Sequence, residues 1–387
     1  MALIDDTKTL LGELISFATV SSDGNLELIA WAADRLGDLG AETRVMVDET
    51  GSKANLFATI GPNEDGGIVL SGHSDVVPVA DQDWSSDPFR MREADGLLYG
   101  RGACDMKGFI AAVLATAPLF AASKLSRPVH ICLTYDEEVG CLGARKLVSE
   151  LPGMGVRPAL AVIGEPTEMR IIEGHKGCCE YTTSFRGLEG HGSAPDAGVN
   201  AVEYALRYGM RLMELKEQLK ERAPAASRFD PPWTTLQLGR LVGGVAHNVI
   251  PGLASLDWEM RPVTEADRAY VCEAIDAYVH DELLPAMRAV HPQASIRREV
   301  VGEVAGLEPV EENEARRIVA ELTGANGADV VSFGTEAGLF QQLGMSVVVC
   351  GPGSIAQAHK PDEFVSLDQL GACLAMLERL AGRLRAS

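Results

Sequence analysis

The alternation of apolar and polar positions opens on a helical rhythm. "MALIDDTKTLLGELISFATV" keeps its apolar residues to one face, broken by Asp and Glu. Compact apolar runs then alternate with helical stretches. "GGIVLSGHSDVVP" predicts a strand, and "GFIAAVLATAPLFAAS" a helix apolar almost all round, which must therefore be buried. "RPVHICLTYDE" predicts a second strand, "CLGARKLVSEL" a helix, and "PALAVIGEPT" a third strand. Short apolar strands separated by helices indicate a parallel or mixed sheet covered on both faces. The active sites of such sheets lie outside the carboxyl ends of the strands.

The rhythm changes near residue 178. "CCEYTTSFRG" alternates as a half-exposed strand, and "NAVEYALRYGMRLMELKEQLK" predicts a long amphipathic helix. A Pro-rich break, "RAPAASRFDPPW", precedes two alternating segments, "TTLQLGRLVGG" and "LASLDWEMRP". A second amphipathic helix is predicted over "EADRAYVCEAIDAYVHDELLPAMRAV". Strand, helix, strand, strand, helix, strand is the order of a small open-faced α+β sandwich. The α/β pattern resumes near residue 300, with a helix at 311–323 and a strand at "MSVVVCGPG". The parse is therefore one α/β domain, residues 1–178 and 300–387, interrupted by an α+β domain at 179–299.

Composition narrows the function classes. With 46% hydrophobic and 23% charged residues, the 387-residue chain is long enough for two cores. The net charge of −21 repels nucleic acid and anionic membranes, so neither is an expected partner. No run approaches the ~20 apolar residues that span a bilayer. The eight cysteines form no CxxC, and no secretory signal opens the chain. They read as reduced thiols, and the expected location is cytoplasmic.

Acids and imidazoles gather where the strands end. "SGHSDVVP" carries His73 and Asp75, and "YGRGACDMKG" carries Asp105 at a helix entry. "TYDEEVG" adds Glu137 and Glu138, "IGEPTE" adds Glu165, and the late loop "SIAQAHKPDEFV" adds His359. Each alone has a plain structural explanation: a core histidine, a helix cap, a turn residue, a surface loop. Together they supply two imidazoles and several carboxylates, the donor types that suit zinc and related divalent ions. "GRGACD" lacks the third glycine of a dinucleotide fingerprint, and "GHGSAP" and "GPGSIAQ" do not match G-x-S-x-G. A nucleotide enzyme or serine hydrolase is thus a weak alternative.

The ordered series HSDVVP, GRGACDMKG, DEEVG, GEPTE and AHKPDE closely resembles the dinuclear zinc deacylase and metallopeptidase family. That family includes acetylornithine deacetylases, succinyl-diaminopimelate desuccinylases, aminoacylases and bacterial carboxypeptidases. "FGTEAGLFQ" and the "CGPGSIAQAHKPDEFVSLDQL" ending look most like the acetylornithine deacetylases. The resemblance implies a zinc-peptidase-like three-layer α/β catalytic domain with an inserted ferredoxin-like lid that also dimerises the chain. It implies two divalent metal ions, zinc with cobalt or manganese as alternatives. His73, Asp105 and Glu165 would hold one, and Asp105, Glu138 and His359 the other, with Asp105 bridging. Asp75 would orient His73, and Glu137 would be the general base.

A cis peptide is implied at Asp105–Met106, and an oxyanion-stabilising role, reaching across a homodimer, for His191. Asn248 and Arg261 match positions that bind the substrate's α-carboxylate; Gly334, Thr335 and Glu336 would border the acyl-amino acid pocket, Glu336 meeting a cationic side chain. The implied reaction removes an acyl group, acetyl first, from a small-molecule N-acyl amino acid such as N2-acetyl-L-ornithine. A related deacylase or dipeptidase, and a binding module that has lost catalysis, are the alternatives. Asp136 has no assigned role.

Overall fold

The run "IVLSGH" buries all six side chains, as a strand must when helices cover both of its faces. The computed structural model describes residues 2–386, which divide into two compact units. The first comprises residues up to 174, 309–330 and 335 onward; the second comprises 175–308 and 331–334.

The first unit is built on an eight-stranded mixed sheet. Its strands are β1 (Glu42–Val47), β2 (Ala54–Ile60), β3 (Ile68–His73), β6 (Val129–Thr134), β7 (Leu160–Pro166), β8 (Ile172–His175), β15 (Asp329–Val331) and β16 (Ser346–Gly351). Their spatial order is β1-β2-β6-β3-β7-β16-β8-β15. The centre is parallel: β3 pairs with both β6 and β7, and β16 with β7. β1, β2 and β8 join antiparallel. A small three-stranded sheet, β4 (Arg92–Ala94), β5 (Leu97–Tyr99) and β17 (Phe364–Ser366), completes the strands of this unit.

Helices make the outer layers. α1 (Ala2–Ser16), α3 (Lys107–Ala121), α8 (Glu314–Thr323) and α10 (Leu367–Arg383) pack against one another. α4 (Leu142–Glu150) and α9 (Ala337–Gln342) pack together, and α2 (Leu26–Asp38) lies on β1 and β2. Alternation along β3 sends Ile68 and Leu70 into the large core with Phe109 and Ile110 of α3, while Ser71 points oppositely, to Glu336 at the start of α9. α3 is buried nearly all round, as its uninterrupted apolar sequence requires. α8 begins only at Glu314, later than expected, because the Asn313 side chain accepts the Arg316 N–H and caps it there.

The second unit is a four-stranded antiparallel sheet in the order β11-β13-β9-β14. These are β9 (Cys178–Arg186), β11 (Thr235–Gly243), β13 (Leu253–Arg261) and β14 (Ser295–Val304). β14 pairs with β9 through to Val304 opposite Cys178, so the pairing continues past the boundary that the sequence pattern places at 299/300. One face packs on α5 (Ala201–Glu221), capped by the Asn200 side chain, and on α6 (Glu265–Tyr278). The single helix expected over 265–290 is divided: a π turn at Val279–Leu283 separates α6 from α7 (Leu284–Val290). Pro285, which has no N–H to donate, falls in the first turn of α7. A two-stranded ribbon, β10 (Gly190–His191) with β12 (Val249–Ile250), completes the unit. No described helix is long and apolar enough to cross a membrane.

Candidate metal centre

Parallel pairing aligns the carboxyl ends of β3, β6 and β7, with His73 opposite Thr134, so the segments leaving these strands collect at one edge. His73 ends β3, Glu165 lies near the end of β7, and Glu137 and Glu138 come just after β6. Asp105 sits in the turn entering α3, and the Asp105–Met106 peptide is cis, as the resemblance implied. His73 Nε2 lies 2.9 Å from Asp105 Oδ1 and 3.8 Å from Glu165 Oε1. His359 Nε2 lies 3.0 Å from Glu138 Oε2 and 3.5 Å from Asp105 Oδ2. His73, Asp105 and Glu138 offer ligand atoms within 4.8 Å of one another, as do His73, Glu137 and Glu165.

The electrostatics are those of a crowded anionic pocket. Burial, reinforced by the Asp105 charge, raises the Glu138 and Glu165 carboxyls. Glu137 is pushed up to about 8 by burial, with His73 opposing and Glu138, Asp105 and Asp75 repelling its charge. Burial also works against an ionised Asp105, but hydrogen bonds from His359 and His73 outweigh it and hold this carboxyl well below its ordinary range. Glu165 Oε1 is buried with no hydrogen-bond partner. An orphaned carboxylate oxygen among imidazoles and further carboxylates fits a divalent cation, whose charge would offset the repulsion.

Asp75 meets His73 twice: His73 Nδ1 is 2.9 Å from the Asp75 backbone carbonyl and 3.6 Å from its carboxylate. The carboxylate also accepts the N–H groups of Glu137 and Glu138 and the Ser21 hydroxyl. Asp75 therefore faces His73 with both main chain and side chain, and its side chain also ties down the Glu137–Glu138 turn. Asp136, unassigned from sequence, is 6% exposed and is gripped by Lys53 Nζ at 2.6 and 2.7 Å. Its φ of 53° turns the chain so that Asp136 faces Lys53 while the next two acids face the cluster. Lys53 and Ser21 carry no sequence signal, because their partners are distant along the chain. Arg101 and Glu363 lie within the motifs but have the look of ordinary charges there.

Thr335 and Glu336 are buried at 1% exposure. Glu336 accepts hydrogen bonds from Ser71 and Thr134, tying α9 to β3 and β6. Both of its carboxylate oxygens thus accept from strand side chains. Gly334 belongs to the second unit.

In the second unit, His191 and Asn248 lie on adjoining parts of one ribbon, where Gly192 N–H donates to the Asn248 carbonyl at 2.7 Å, and both residues are exposed. The Ser193 backbone N–H donates to His191 Nδ1 at 3.2 Å. The Ser193 hydroxyl lies 2.7 Å from the same nitrogen. Arg261, at the end of β13, donates to Glu259 at 3.0 Å.

Comparisons with known proteins agree with the site. The model of peptidase family M20/M25/M40 matches residues 69–383. An acetylornithine deacetylase of Myxococcus xanthus is 39% identical over 382 residues, covering 96% of both chains. Another, of Pasteurella multocida, is 34% identical over 377 residues with 96% of both covered. Among solved structures, an M20 family metallo-carboxypeptidase from Sulfolobus solfataricus superposes with TM-score 0.71 at 17% identity, covering 97% of this chain and 98% of that one. A dinuclear metal binding peptidase of the M20 family, from Bacillus subtilis, does so with TM-score 0.64 at 18% identity, covering 99% of both. The chain belongs to peptidase family M20/M25/M40, a family of hydrolases.

Proposed function

We propose that the chain is a dinuclear-metal amidohydrolase that deacetylates N2-acetyl-L-ornithine to L-ornithine and acetate. The observation that carries the reading is the convergence of His73, Asp105, Glu138, Glu165 and His359, with Glu165 Oε1 buried and without a hydrogen-bond partner among the described residues. The two relatives above, both described as acetylornithine deacetylases, support the choice of substrate.

His73, Asp105 and Glu165 would hold one ion, and Asp105, Glu138 and His359 the other. When bound, the pair of ions, zinc or alternatively cobalt or manganese, would polarise the amide carbonyl and acidify the attacking water. Glu137 accepts the proton from that water and returns it to the leaving nitrogen. Its backbone N–H is held by Asp75, and its carboxylate accepts only a weak thiol contact from Cys141 at 3.5 Å among the described residues' hydrogen bonds. Asn248 and Arg261 bind the substrate's α-carboxylate, Arg261 exchanging Glu259 for it. His191 donates from Nε2 to the developing oxyanion of substrate in a second copy of the chain, which makes the working form a homodimer.

The experiment is a hydrolysis panel on metal-loaded protein. N-acetylornithine should outrun N-acetylmethionine, N-succinyl-diaminopimelate and simple dipeptides in kcat/KM. Preference for another member would reassign the substrate. Absence of any amide hydrolysis with zinc, cobalt or manganese supplied would overturn the enzyme assignment and favour a binding module.

A further inference from the structure

His359 belongs to a stretch with no regular secondary structure, and its own φ is 63°. Asp105 lies in a turn entering α3 and also lacks strand or helix pairing. Something else must hold both, because misplacement by an ångström is enough to spoil a metal-ligating pair.

Glu363, four residues beyond His359, is 1% exposed and occupies both oxygens. Oε1 accepts the backbone N–H groups of Cys104 at 2.8 Å and Asp105 at 3.0 Å. Oε2 accepts Arg101 Nη1 at 2.7 Å and the Gly102 N–H at 3.1 Å. Arg101, equally buried, continues the chain of contacts: its Nη2 donates to Gln82 Oε1 at 2.6 Å, and Gln82 Nε2 donates to the His359 carbonyl at 2.9 Å. Asp362 closes the same clasp by accepting from the Ser85 N–H and hydroxyl. A carboxylate with four donors is an expensive group to bury for packing alone; Glu363 stands on the chain that leaves His359, and its hydrogen bonds all come from the 101–105 segment that delivers Asp105.

We propose that Glu363 is a positioning residue that locks the Asp105 turn and the His359 loop into one frame, with Arg101 and Gln82 as the connecting links, so that both side chains meet a divalent cation together. The inference rests on reading the cluster as a cation site.

Cobalt(II) titration of the metal-stripped full-length chain tests it, monitored by visible absorption, with thermal melting of each stripped protein alongside. Glu363→Gln sets an amide donor against N–H groups that need an acceptor. It should weaken cobalt binding by about tenfold or more and change the absorption bands of the bound ion. Gln82→Ala leaves every bond to Glu363 in place and removes the link to the His359 carbonyl together with the acceptor for Arg101 Nη2 and Trp84 Nε1, so it should weaken cobalt binding less than Glu363→Gln and lower the melting of the stripped protein less. A purely structural role would lower melting temperatures without touching cobalt affinity or spectrum. Wild-type affinity and spectrum in Gln82→Ala and in folded Glu363→Gln would overturn the proposal; if Glu363→Gln does not fold, Gln82→Ala decides alone. A wild-type chain that takes up no cobalt would overturn the proposed function instead, which keeps the two failures apart.

Discussion

The Asp75 carboxylate accepts the Glu137 backbone N–H at 3.1 Å, linking the strand that delivers His73 to the turn that delivers the proposed base. Its other oxygen takes the Ser21 hydroxyl at 2.7 Å. Asp75→Ala removes both anchors together, leaving buried donors unpaired. We expect kcat for the acyl-amino acid to fall by about 10–100-fold with KM little changed. Steady-state kinetics on metal-loaded protein checks this; an unchanged kcat would show that the turn holds itself.

Glu137 itself should separate binding from chemistry. Glu137→Ala is expected to retain metal, measured by elemental analysis, and to lose about 10²–10⁴ in kcat. Substantial residual turnover would remove Glu137 from the role of base. Loss of metal with turnover would make it a ligand.

Lys53 and Asp136 form the buried ion pair that sets the direction of the acidic turn. Lys53→Met leaves the Asp136 carboxylate uncompensated and should cost about 3 kcal/mol in chemical denaturation. Adding Asp136→Asn should recover part of the loss, since asparagine tolerates the positive φ without the charge. Equal stability of the single variant and wild type would show that the pair contributes nothing.

His130 gives the fold an acid limit away from the metal centre. It is fully buried, stacks on Phe57, and has no partner for Nε2. Burial depresses it from its ordinary 6.5 to about 4. The folded state therefore keeps this ring neutral where the unfolded chain would protonate it. The stability it contributes is fully present above about pH 6.5 and is lost as pH falls toward 4. His130→Phe should reduce the loss of unfolding free energy between about pH 7 and pH 5 by about 2 kcal/mol. Denaturation curves at the two pH values test this, and an unaltered difference would exclude His130 as a source of acid sensitivity.

Much of the architecture was legible because it is written in local pattern. The largely apolar run of α3, the largely apolar strands β3, β6 and β7, and the strict alternation of β9 each declare their surroundings without help from distant residues. His73, Glu137, Glu138 and Glu165 were legible for the same reason, since each sits where an apolar strand stops, whereas Asp105 and His359 stood out only through their motifs. Even the division of the helix at 265–290 had its cue in Pro285.

Beyond the reach of the sequence lay the partner of each charge. Asp136 finds Lys53 from 83 positions away, and Glu363 finds the Asp105 amide from 258. Asp75 faces its imidazole with both carbonyl and carboxylate and at the same time holds another turn with that carboxylate, a double use that depends on geometry not encoded in H-x-D. Glu336 reads like a pocket acid, yet it accepts from Ser71 and Thr134, whose strands are far from it in sequence. Residue type and spacing determine which chemistry is possible. Only the tertiary fold decides which acids face a cation, which face a lysine and which hold the loops in place, because desolvation and hydrogen bonding act on distances in space, not on positions in the chain.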